Sequence, residues 1–280
     1  AYLITSKNMN LHRIVSITLI SAGLTGCFDS RKNTEQLCND YPALRCEQLN
    51  VDDGQCRVPR TNLIWHRFDV LKDPTESHKI TEYQMVTEYR RCLELAAQIQ
   101  PIDQSALKRK RFEALVHSGE EQERIVQELS DSTEPETLYF LWSQIGDNNA
   151  RRQFLQLEGS PELETAHLQY ALATFYTSRD SAKTVTLLNR SLELSGADDV
   201  NTEIFKSLAS TYYKLNQKEK AYIWTRVAER FDINVASQPE LQLLYGFDQA
   251  TYTRLDMLAN EVEDAIRQGN YRSSLIPNTF

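Results

Sequence analysis

Residues 202–235 read TEIFKSLASTYYKLNQKEKAYIWTRVAERFDINV, and this stretch decides the fold. In its first half Phe205, Leu208, Ala209 and Tyr212 recur at i, i+3, i+4 and i+7, which sets four side chains on one helical face. The polar run Leu215-Asn216-Gln217 interrupts the pattern, and beyond it Ala221, Trp224 and Ala228 share the face of a second helix. Small residues at Ala209, Ala221 and Ala228 oppose the large Phe205 and Tyr212, so two helices can approach closely while aromatic rings fill the gaps. The stretch predicts a complete helix-turn-helix unit of about 34 residues.

This alternation of large and small positions resembles a tetratricopeptide repeat, with Thr225 where a large residue is usual and Ile233 where proline is usual. Upstream, Pro161 opens a related unit with Leu168, Ala171, Leu172 and Phe175 on its first helix and Leu188 and Ser191 on its second. Leu168 precedes Phe205 by 37 positions, and the polar Gly196-Ala197-Asp198-Asp199 takes up the excess over 34. Leu138, Leu141, Trp142 and Ile145, then Gly146-Asp147 and Phe154-Leu155, form a shortened hairpin of the same kind. Helices are expected over 75–99, 105–117 and 118–129, the first ended by Pro101. Leu255, Leu258, Ala259, Val262 and Ile266 make a last amphipathic helix that covers the end of the array, and 270–280 reads as a loose tail. With only nine glycines and eight prolines in 280 residues, the fold class is all-α. The resemblance implies a right-handed stack of helical hairpins, a TPR-like α-solenoid, over 75–269.

At the N-terminus His12-Arg13 leads into an apolar run of 11 residues, Ile14 to Leu24, which is signal-peptide length and too short to span a bilayer. The run ends in Leu24-Thr25-Gly26-Cys27, which resembles a bacterial lipobox. That resemblance implies cleavage after a leader of 1–26, lipidation of Cys27 and a tether over 27–34. Three acyl chains anchor a protein durably where one does not. Under the sorting rule that accompanies such a lipobox, Phe28 after the cysteine directs the protein to the periplasmic face of the outer membrane, while Asp29 stands one place too late for retention in the inner membrane.

With Cys27 assigned to lipid, Cys38, Cys46, Cys56 and Cys92 remain, an even set that reads as two disulfides in an oxidising periplasm. Three connectivities are open. Cys38 with Cys46 and Cys56 with Cys92 is preferred, since the first closes a local loop and the second pins a loop to a helix. Spacings of 8, 10 and 36 contain no Cys-x-x-Cys pair and His66 and His78 add no motif, so metal is not expected. Residues 35–74 therefore read as an irregular, disulfide-bearing head. Within it Asn50 to Gly54 makes a tight turn between short extended segments and Leu63 to Phe68 a strand or recognition loop. Met85, Tyr89, Cys92, Ala96 and Ile99 recur at helical spacing, which places Cys92 on a buried stripe.

The formal charge of -8, or 29 basic against 39 acidic residues once 1–26 is gone, disfavours nucleic acid as a partner. Lys108-Arg109-Lys110-Arg111 reads as a solvated face or a contact for anionic envelope polymer. No zincin, phosphate-loop or serine-elbow motif is present and the histidines are scattered, so neither catalysis nor a cofactor is expected. Stacked hairpins offer a concave surface for protein segments, which makes an envelope protein the expected partner, with Tyr176, Lys206 and Tyr213 as contact residues. The whole layout is similar to uncharacterised Gram-negative lipoproteins with tetratricopeptide-like repeats. Relatives of that kind scaffold peptidoglycan enzymes or assemble secretion and pilus pores. The alternative reading is a peptidoglycan-binding or peptidoglycan-hydrolysing protein built on paired carboxylates.

Overall fold

The structure, a computed structural model, describes residues 33–99 and 105–280; the leader, Cys27 and most of the tether lie outside them. Every regular element among the described residues is helical, and the helices pack in neighbouring pairs. The recurrent hairpins lie where the apolar spacing puts them. Helix α7 (Ala166–Tyr176) folds back on α8 (Ser181–Leu194), and α9 (Glu203–Lys214) on α10 (Lys218–Arg230). Both helices of the pair recur at the same 37-residue offset. Phe205, Leu208, Ala221, Trp224 and Ala228 are buried, and the Phe205 and Trp224 rings stack at 6.0 Å. After the short α11 (Gln238–Tyr245), helix α12 (Gln249–Arg267) lays Tyr252, Leu255, Ala259, Val262 and Ile266 against α10, covering the apolar side the last hairpin would expose. At the end of α12, Gly269 holds a φ of +67° where an added Cβ would stand 2.9 Å from the Ala197 backbone nitrogen. The loop between α8 and α9 is thus locked to the end of the array.

The last residues are no loose tail. Tyr271 and Ile276 are buried, the Tyr271 hydroxyl donates to Asn189 Oδ1 on α8 at 2.6 Å, and the Ser273 amide and hydroxyl both donate to Glu193 Oε1.

The head also departs from expectation. It is mostly helical: α1 (Thr34–Asp40), two 3₁₀ turns, and α2 (Arg57–Lys72), which contains the Leu63 to Phe68 segment expected as a strand or loop. The turn at Asn50 to Gly54 joins a 3₁₀ turn to α2, not extended segments. Disulfides join Cys38 to Cys46 and Cys56 to Cys92, with Cα–Cα separations of 5.8 and 5.7 Å. Helix α3 (Glu76–Ala96) buries Glu82, Val86, Tyr89, Leu93 and Ala96. This stripe is rotated from the expected one, so Cys92 sits at its margin and Ile99 is 47% exposed. Helix α4 (Ser105–Leu129) runs through Ser118 and Gly119 without the expected break. Ser118 Oγ donates to the Leu115 carbonyl, and an added Cβ at Gly119 would stand 3.3 Å from the Arg90 guanidinium, so the small residues admit α3 instead of ending the helix.

Buried ions bind the head to α3 and α4. Arg67 on α2 donates to Glu82 at 3.1 Å and to Glu121 at 3.0 Å, and its remaining terminal nitrogen donates to the Leu44 carbonyl. Arg45 and Arg124 converge on the same two carboxylates. Separately, Asp53 in the head receives a bidentate Arg111 from α4, while Arg60 and the Tyr89 hydroxyl donate to Asn50 beside it. Arg111 thus closes Lys108-Arg109-Lys110-Arg111 on a buried partner, while Glu121 further along α4 belongs to the other network. The Arg111 hydrogen bonds hold the Asp53 carboxyl below the usual carboxylate range.

Candidate partner-binding groove

An open groove of about 790 Å³ lies between α3, α5 (Pro135–Phe140) with the turn that follows it, and α7. Each wall has a local cause. Thr75 caps α3 by accepting from the His78 amide, which presents Glu76, Ile80 and Gln84 one turn apart. Pro135 starts α5 at a position that needs no amide donor. The next turn, Leu141–Ile145, widens into a π-helix closed by left-handed Gly146, and it places Ser143 and Gln144 at the groove while burying Leu141. Thr165 caps α7 and sets His167 on the third wall.

The lining is mixed. Ile80, Tyr139 and Phe140 supply apolar surface, and Ser77, Thr81, Gln84, Thr137, Ser143 and Gln144 supply hydroxyls and amides. Glu76, Glu134 and Glu136 supply carboxylates. Glu76 Oε2 accepts from Ser132 Oγ and Thr137 Oγ1 at 2.5 and 2.6 Å. His167 lies 3.8 Å from Glu136 and edge-on to Tyr139 at 5.3 Å between ring centroids. Burial pushes the Tyr139 hydroxyl above its ordinary pKa, so it stays a neutral hydrogen-bonding group at physiological pH. Among the described residues, no lysine or arginine lines the groove.

None of the three expected contact residues is here. The Tyr176 hydroxyl donates to Glu158 Oε2 at 2.6 Å, and the Lys183 ammonium lies 4.0 Å from its ring centroid. Tyr213 is 43% exposed but leans edge-on against Tyr245, and Lys206 is exposed elsewhere on α9. A second groove of about 430 Å³ runs between α8, Tyr212, Lys220 and the C-terminal segment. Among the described residues, no group of three or more histidines, cysteines and carboxylates is placed to hold a metal ion, and no helix is long and apolar enough to cross a membrane.

No curated protein and no solved structure matches the chain. Residues 24–226, from the leucine of Leu24-Thr25-Gly26-Cys27 to the middle of α10, match the family described as Protein of unknown function (DUF2989), and the chain belongs to that family.

Proposed function

We propose that the chain is a periplasmic lipoprotein, held through Cys27 on the outer membrane, whose helical hairpins form a right-handed tetratricopeptide-like scaffold that binds a protein segment without catalysis. The observation that carries this reading is the groove between α3, α5 and α7, which is open, partly apolar and about 790 Å³ in volume. Two further features support it. The family match begins at the lipobox-like residues, and two disulfides suit an oxidising compartment.

Site-specific photo-crosslinking in intact cells tests it. A crosslinker at Thr81 or Gln144 in the groove should give a discrete adduct with one envelope protein, absent when the crosslinker sits at exposed Asp199 on the α8–α9 loop. Cys27→Ala should move the protein from the outer-membrane fraction to the soluble one. Adducts only with peptidoglycan, or release of cell-wall fragments by the purified protein, would replace the adaptor by a polymer-binding or hydrolytic role using Glu76, Glu134 and Glu136.

A further inference from the structure

Charge distribution around the groove narrows the occupant. Glu76, Glu134 and Glu136 come from two walls, and among the described residues the one positively ionisable side chain in the lining is His167, beside Glu136. Several carboxylates elsewhere are paired with arginine or lysine: Glu82 and Glu121 with three arginines, Asp53 with Arg111, Glu128 with Lys79 and Arg124, Glu164 with Arg190 and Glu263 with Arg267. In the groove the Ser132 and Thr137 hydroxyls reach Glu76, and a hydroxyl donates a hydrogen bond without cancelling charge. Three carboxylates therefore set a negative potential over a recess whose floor includes Ile80 and Phe140.

Resting on the adaptor reading above, we infer that this groove takes a protein segment carrying a lysine or arginine beside an apolar residue, the cation placed among Glu76, Glu134 and Glu136 and the apolar side chain against Ile80, Tyr139 and Phe140. Aliphatic stems of lysine and arginine pack on apolar surface while their heads reach carboxylates, so one side chain satisfies both parts of the lining. Tyr139 adds an aromatic ring for a guanidinium or ammonium. An acidic segment would be repelled.

The test selects a displayed library of random 12-residue peptides on the full-length protein in detergent micelles, then measures binding of the enriched peptides by fluorescence anisotropy. Three proteins are compared: wild type, the charge variant E76Q/E134Q/E136Q, and the blocked variant T81W/S143W, each checked for helicity by circular dichroism. The expected result is enrichment of lysine or arginine next to an apolar residue. Binding should weaken about tenfold in the charge variant and comparably from 50 to 500 mM salt, with loss in the blocked variant. Peptides lost in the blocked variant but free of basic enrichment, and indifferent to the charge variant, would overturn the cation assignment and leave the groove reading standing. Peptides indifferent to both variants, or no enrichment at all, would overturn both.

Discussion

Asp53→Asn isolates what holds the head to the helical body. Asp53 and Arg111 are 5% and 4% exposed, and the Arg111 guanidinium reaches both carboxylate oxygens, one through Nε and the other through Nη2 at 3.1 Å. Asparagine keeps the shape but turns an amide NH₂ toward the guanidinium donors and removes the charge that balances it. Breaking a buried pair from one side costs about 3–5 kcal/mol, because the surviving ion is left uncompensated. For a domain of this size each kcal/mol is about 2–4 °C of melting temperature, so the variant should melt roughly 6–20 °C lower. The pH dependence gives a second reading. The folded Asp53 pKa lies below its ordinary 3.8, so the pair's stabilisation is fully present above about pH 5, well clear of the unfolded value, and is lost progressively as pH falls through the lowered folded value. Denaturant titrations followed by circular dichroism at pH 7 and pH 3 should show wild type losing stability that Asp53→Asn never had. Arg111→Met in the Asp53→Asn background should recover part of the loss, since no uncompensated charge remains. A single-variant cost under about 1 kcal/mol at pH 7, the range of an exposed pair, would refute the claim that this pair is an anchor.

Removing the Cys56–Cys92 disulfide with Cys56→Ser and Cys92→Ser releases a loop 36 residues long and should cost about 3–4 kcal/mol; the 8-residue Cys38–Cys46 loop should cost about 2–3, both read from denaturant midpoints. Gly269→Ala combines a left-handed φ with a Cβ 2.9 Å from the Ala197 nitrogen and should destabilise by about 1–3 kcal/mol, with hydrogen exchange increased at the α8–α9 loop. Tyr271→Phe takes the donor from Asn189 Oδ1 and should cost about 1–3 kcal/mol. Trp224→Phe instead removes a buried indole N–H that has no partner and should stay within about 1 kcal/mol of wild type; the reverse order in thermal melts would disprove this account.

The hairpins of 166–230 and helix α12 were legible in the sequence because their faces are made of apolar residues at helical spacing. Helix α2 was not, for a physical reason. Its core face is Arg60, Leu63, Ile64 and Arg67, a correct helical period in which half the members are arginines. With arginine counted as solvent-facing, only the short apolar run Leu63-Ile64-Trp65 is left, which suits a strand or a recognition loop as well as a helix. The same substitution of ions for hydrocarbon hides Glu82, Glu121 and Arg111: the two carboxylates depend on Arg67, 15 and 54 residues away, and Arg111 on Asp53, 58 residues away. Tyr271 and Ile276 carry no periodic signal either, since Asn189 and Glu193 give the C-terminal segment its place. The groove was invisible for a related reason: Glu76, Tyr139 and His167 belong to three elements, and no local pattern joins them. Tyr176 and Tyr213 looked available as exposed aromatics, but each already has an intramolecular neighbour.

Helix α3 connects these two halves of the molecule. Toward the head it presents Glu82, Val86, Tyr89 and Leu93, fixed by Arg67 from α2, Arg124 from α4 and the Asn50 contact with Tyr89. Toward the groove it presents Glu76, Ile80 and Gln84. A helix clamped by ions along one side and a disulfide at Cys92 has little freedom to roll, so in the proposed adaptor its groove-facing turn would be held in place before a segment arrives. Pre-organised walls reduce the ordering cost of binding, which matters most for a site whose polar contacts are individually weak. The cysteine head is therefore the brace of the groove rather than a separate module. Its buried Arg67 holds Glu82 on the head side of α3, while Glu76, on the groove side of the same helix, accepts from Ser132 and Thr137.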